Sequence, residues 1–167
     1  VSAAVPAGAK IESAALTLHM SKTITSGTAV GLHRVLADWG EGASNAPGEE
    51  GGGAPALPGD ATWKHAFYDT ALWTTLGGDF ALSASDTQIV FGPGFYTWSS
   101  SEMVADVQSW LDNPSESFGW LLLGDESIPS TAKRFDSRQH PDPGVRPVLT
   151  LVYTPIPEPV PGMTVLG

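Results

Sequence analysis

Cysteine is missing from this 167-residue chain, and basic side chains are scarce. With no thiol, disulfides, thiolate zinc sites, iron–sulfur clusters and cysteine nucleophiles are all excluded, while the redox compartment stays open. Lys and Arg number 8 against 18 Asp and Glu, a formal net charge of -10. The basic residues are scattered from Lys10 to Arg146, whereas a phosphate backbone needs positive charge gathered on one surface; nucleic acid is disfavoured as a partner. No stretch approaches the roughly 18 consecutive apolar residues of a membrane span. No basic start followed by an apolar run marks a secretion signal, so a mature or trimmed chain is expected.

Catalytic signatures are also wanting. The histidines at 19, 33, 65 and 140 form no His-Glu-x-x-His helix and no close pair, which leaves a metalloprotease-type site without support. Neither a Gly-x-Ser-x-Gly elbow nor a phosphate loop ending in Gly-Lys-Ser/Thr occurs. A glycosidase would need two carboxyl groups at a separation of roughly 5–9.5 Å in space, which spacing along the chain does not encode. The reading is therefore non-enzymatic.

What the chain does have is glycine (19), proline (14) and short apolar segments. Its length suits one domain that buries roughly 70% of its unfolded surface around one core. Ala14, Leu16, Leu18 and Met20 alternate with Ala15, Thr17 and His19, the period of a strand with one buried face. A second strand is expected over residues 29–35, with Val30 and Leu32 inward, followed by a tight corner at Asp38-Trp39-Gly40-Glu41-Gly42. Residues 43–59, with three prolines and Gly51-Gly52-Gly53, read as a long surface loop.

Thr62-Trp63, Phe67-Tyr68, Leu72-Trp73 and Asp79-Phe80 read as short strands and loop anchors, and residues 88–91, 133–137 and 148–153 as further strands. Residues 118–123 are apolar on both faces, which predicts a central strand covered on two sides. One helix is expected over about residues 100–112: Ser99 and Glu102 are spaced like a capping box, and Met103, Val104, Val107, Trp110 and Leu111 recur at helical spacing. Many short strands and one helix predict an all-β fold, an antiparallel β-sandwich or jelly roll.

Two sets of side chains are candidates for binding. Trp39, Trp63 and Trp73 lie in loop-rich sequence, where indoles can form a platform for pyranose faces or pin a long loop onto the sandwich. Asp38, Glu41, Asp79, Asp125 and Asp136 all fall near strand ends; such acidic loops suit calcium, or serve as solvated turn caps. No other cofactor is indicated.

The order Ile11 to Met20, Leu32-His33-Arg34-Val35, Asp38-Trp39-Gly40-Glu41-Gly42, Thr62-Trp63, Gly77-Gly78-Asp79-Phe80 and Arg134-Phe135-Asp136-Ser137-Arg138 before Arg146-Pro147-Val148-Leu149 resembles the DNRLRE domain. That family is a secreted jelly-roll-like module of bacterial and archaeal surface proteins, related to carbohydrate-binding modules. The likeness spans about residues 5–153. It implies an extracellular sandwich without catalysis and assigns no site residues. Beyond it, Thr154-Pro155-Ile156-Pro157-Glu158-Pro159 looks like the Pro-Glu-Pro signal of PEP-CTERM sorting tails, making 154–167 a separate tail. This implies export in bacteria, an exopolysaccharide association, and membrane contact only through a C-terminal anchor that this sequence does not contain.

Family members have strand sequence upstream of the segment matching residues 5–20, so an open sheet edge is expected here. An open edge invites a strand from another chain. One expected function is therefore a structural subunit of the cell surface or matrix whose copies join through strand or tail exchange into a fibre, the tail contributing Val160, Met163, Val165 and Leu166. The other is a polysaccharide-binding module that uses the loop tryptophans.

Overall fold

The computed structural model describes residues 4–25, 27–44, 53–125 and 127–156. Nine strands and one α-helix follow in chain order: β1 (Lys10–Thr23), β2 (Thr28–Arg34), β3 (His65–Phe67), β4 (Ala71–Leu72), β5 (Asp86–Val90), β6 (Gly94–Trp98), α1 (Ser101–Asp112), β7 (Trp120–Leu123), β8 (Lys133–Phe135) and β9 (Val148–Thr154). All pairings are antiparallel. In the first sheet β1 is flanked by β6 on one side and by β9 and then β8 along its length; the second has the order β5-β2-β7, and β3-β4 form a separate hairpin. The expected all-β sandwich is thus the observed one.

The inward stripe of β1 explains why the sheets stack. Ala14, Leu18 and Met20 are buried, and Leu16 packs against the core they form, as the alternation predicts. Ile11 is buried too, three residues before Ala14, because a bulge between Ile11 and Ser13 shifts the register against β9 and reverses the side-chain parity. Facing them are Val30, Leu32 and Val90 from the second sheet. Trp98, fully buried on β6, donates its indole N–H across the gap to the Val30 carbonyl at 3.0 Å.

Helix α1 closes one end of this core with Met103, Val107, Trp110 and Leu111. Gln108 accepts the Ile11 N–H (2.9 Å) and donates to the Ala9 carbonyl (3.2 Å), satisfying backbone beside the β1 bulge. On the other side Asp106 accepts from the Trp120 indole (2.7 Å) and the Ser85 hydroxyl (2.6 Å), so one helix holds both sheets. Its cap differs from the expected box. Ser100, extended at φ -153°, accepts from the Met103 N–H, whereas the Ser99 hydroxyl donates to Ala14 of β1.

Residues 118–123 also differ from expectation. Within the described residues β7 pairs only with β2 and forms a sheet edge. Its second apolar face exists because Leu121 lies under a loop assembly rather than under another strand, and the two kinds of cover leave the same mark on the sequence.

Burying an indole at roughly 25 cal/mol per Å² over about 200 Å² contributes about 5 kcal/mol, which makes Trp98 the costliest single truncation in the sheet interface. Trp98→Ala is expected to lose about 3–5 kcal/mol in urea denaturation. Trp98→Phe, which keeps an aromatic ring but loses the indole donor and part of the buried surface, should lose about 1–3 kcal/mol; an unchanged midpoint for Phe would show that the cross-sheet hydrogen bond contributes nothing.

Candidate functional site

Strand β2 continues past the core, and its extension builds the site. Beyond Arg34, Val35 forms an isolated bridge with Phe80, the Leu36 N–H binds the Asp79 carbonyl at 2.8 Å, and the Val35 N–H binds the Gly119 carbonyl at 3.0 Å. The chain then turns at the corner Asp38 to Gly42. Here glycine is required by close approach: a Cβ on Gly40 would lie 1.7 Å from the Gly59 carbonyl oxygen, and one on Gly42 (φ +66°) 1.6 Å from Asp60. Residues 59–61 can therefore run directly against the corner, with the Ala61 N–H on the Gly40 carbonyl at 2.7 Å.

Asp60 secures the long loop from beneath. It is buried and accepts backbone N–H groups from Leu57 (2.6 Å), Ala43 (2.9 Å) and Ser44 (3.3 Å), joining both ends of the loop. The Leu57 N–H and the others hold its carboxyl below the usual range despite burial. Sequence reasoning did not single out Asp60, since an aspartate after Pro58-Gly59 reads as an ordinary turn residue.

Trp39, Trp63 and Trp73 are brought together around one cavity of about 290 Å³. Trp39 is fixed by its indole N–H on the Phe118 carbonyl (2.8 Å), and Trp73 by its indole N–H on the Thr62 carbonyl (2.9 Å). These two pin loops and still line the cavity. Trp63 stands most open, 61% exposed, with its ring over Gly77, where a Cβ would approach the ring to 2.8 Å. Val35, Phe80 and Leu121 form an apolar floor that the sequence did not mark as part of a site. Asp79 accepts the Thr74 (2.9 Å) and Thr75 (2.8 Å) N–H groups, which close the turn leading to Phe80 and lower its pKa against the opposing effect of burial.

The five acidic candidates for calcium are not gathered. Asp38 accepts the Trp39 N–H (2.9 Å); Glu41 is paired with Arg138 (2.8 Å to Nε) and Gln139; Asp125 accepts from Ser127; Asp136 is hydrogen-bonded to His19 (2.6 Å). Among the described residues no three His, Asp or Glu side chains are placed to share a metal ion. Val160, Met163, Val165 and Leu166 lie outside the described residues. Of the remaining indoles, Trp98 and Trp110 are buried in the core, and the partly buried Trp120 packs edge-on against Trp110 at 4.4 Å between ring centroids.

No protein-family model, curated protein or solved structure matches the chain.

Asp136 yields a test in acid. Burial raises its pKa, but hydrogen bonds from His19 and Ser21 and the charges of His140 and His19 outweigh that and hold it below the usual value. A carboxyl lowered in the folded state stabilises the fold fully above its unfolded value of about 3.9, and that contribution is lost as pH falls through the folded value. Asp136→Asn is therefore expected to lower the melting temperature at neutral pH and to flatten its fall below about pH 4. An acid limb parallel to the wild type would show the pair to be energetically idle.

Proposed function

We propose that this chain is a non-catalytic polysaccharide-binding module of the cell exterior, with Trp39, Trp63 and Trp73 presenting their faces to a sugar ring. The observation that carries the reading is the convergence of three loop indoles on one open cavity with an apolar floor. Its volume of about 290 Å³ is at the small end of ligand sites, which run from roughly 300 to 1,000 Å³, and suits one or two rings of a chain. Among the described lining residues Asp79 is the one carboxylate, so the facing acid pair of a glycosidase has no counterpart among them; this supports binding without turnover. The likeness to the DNRLRE domain and the Gly- and Pro-rich, weakly charged composition support an extracellular, bacterial setting.

Trp63 is the decisive residue because it is exposed and can be removed without opening the core. Trp63→Ala should leave the melting temperature within about 1 °C, as expected for a surface change. In gels containing soluble polysaccharides it should abolish retardation, or weaken affinity at least about tenfold, the loss expected for an aromatic anchor. Retardation equal to that of the wild type would remove the cavity from consideration.

The self-assembling subunit is a second reading, favoured by the first sheet. Within the described residues β9 pairs with β1 on one side only, and Val148 (53%) and Val152 (56%) on it are exposed. An apolar strand with an open edge is a template for a copy of the same chain. On this reading, sedimentation at micromolar concentration shows growing oligomers that Val152→Lys abolishes. Monomers throughout that range would eliminate it.

A further inference from the structure

We propose that the tryptophan cavity selects a protonated amino sugar, so that the module prefers a cationic, glucosamine-type polysaccharide over its neutral and acidic counterparts. This rests on the reading of the cavity as a glycan site, and it follows from which hydrogen-bonding groups that cavity has left.

Its donors are largely consumed. The indole N–H groups of Trp39 and Trp73 are given to the Phe118 and Thr62 carbonyls. The Thr62 hydroxyl is engaged with His65 and with the Lys64 N–H. Among the described lining residues the Trp63 indole is the side-chain donor that remains. The Asp79 carboxylate accepts the Thr74 and Thr75 N–H groups, one on each oxygen, and the hydroxyls of the same two threonines act on it as well, so what it offers a ligand is negative charge. A uronate or sulfate ligand brings acceptors and needs donors. An ammonium needs no donor from the protein and is drawn by negative charge and by indole faces, both of which the cavity has.

Charge selects in the same direction. Asp38, Asp60 and Asp79 stand on or beside the lining segments, against Lys64 as the basic residue of those segments, within a chain of net charge -10. Glu41 and Arg138 cancel each other in a separate pair. Hydrogen bonds from the Leu57 and Thr74 N–H groups lower Asp60 and Asp79 respectively, so both stay ionised in mild acid, where an amine is protonated. Indole faces carry the negative end of the ring quadrupole and attract a cation held over them, while they also accept the C–H face of the same sugar ring. An N-acetyl group removes the charge and two of the donors while leaving the ring unchanged, and it isolates the effect.

The test is a tryptophan-fluorescence titration at about pH 6, below the usual range of an amine. The probes are a β-1,4-linked glucosamine oligomer, its fully N-acetylated counterpart and an oligoglucuronate of equal length, each against wild type and Trp63→Ala. The glucosamine oligomer should bind at least about tenfold more tightly than the N-acetylated one. That advantage should collapse at about 1 M salt, where the screening length is about 3 Å, and Trp63→Ala should abolish it. The oligoglucuronate should not bind. If the N-acetylated oligomer binds equally well or better in a Trp63-dependent manner, the amino-sugar preference is overturned and the glycan site stands. If the glucosamine oligomer binds Trp63→Ala as tightly as wild type, it is held by general surface charge, and the preference again falls. If no oligomer shows Trp63-dependent binding, both readings fall.

Discussion

The hydrogen bond from the Trp98 indole to the Val30 carbonyl joins the two sheets by a directed contact in a core otherwise held by non-directional packing. Hydrophobic burial brings sheets together without fixing their offset, whereas a buried N–H that must find one carbonyl does fix it. Once β6 and β2 are set in this way, the helix that follows β6 starts at a defined place, and its Gln108 and Asp106 reach one sheet each. The course of β2 beyond the core is then determined as well. The site is the continuation of that strand.

Around that continuation the chain is irregular but not loosely held. Backbone N–H groups of the long loop converge on Asp60, and those of the turn after Trp73 converge on Asp79, so irregular segments have the partners that regular strands would otherwise supply. Gly40 allows the two sides of the loop to touch backbone to backbone, and Gly42 leaves room for the Asp60 carboxylate. Two of the three indoles are fixed by their own N–H groups. A cavity whose walls are already ordered asks little further ordering of a ligand. The same saturation of hydrogen bonds narrows what the cavity can recognise.

Much of the frame was legible in the sequence. The alternation around Leu18, the inward Val30 and Leu32, and the helical stripe from Met103 to Leu111 are periodic, and a period survives without knowledge of neighbours. Errors arose where one sequence pattern serves two environments. Ser99 and Ser100 are both capping residues by type; Ser100 takes the cap while the Ser99 hydroxyl is given to Ala14, a partner that lies 85 residues away. Leu121 looks the same whether covered by a strand or by loop tryptophans. The carboxylates at strand ends were found as residues, but their partners were not: Glu41 meets Arg138 across 97 residues and Asp136 meets His19 across 117.

The sequence by itself determined the class of fold, the inward face of its longest strands, the single helix, and the three indoles that belong in loops, since all of these follow from local composition and period. Only the tertiary structure decided that those indoles share one cavity, that Phe80 and Leu121 floor it, and that Asp60 and Asp79 hold it together. The turn closed by Asp79 is local, but the meeting of Trp39, Leu121 and the Asp60 loop around the cavity depends on contacts between residues distant along the chain. Spacing in sequence carries no information about such contacts until the sheets have stacked.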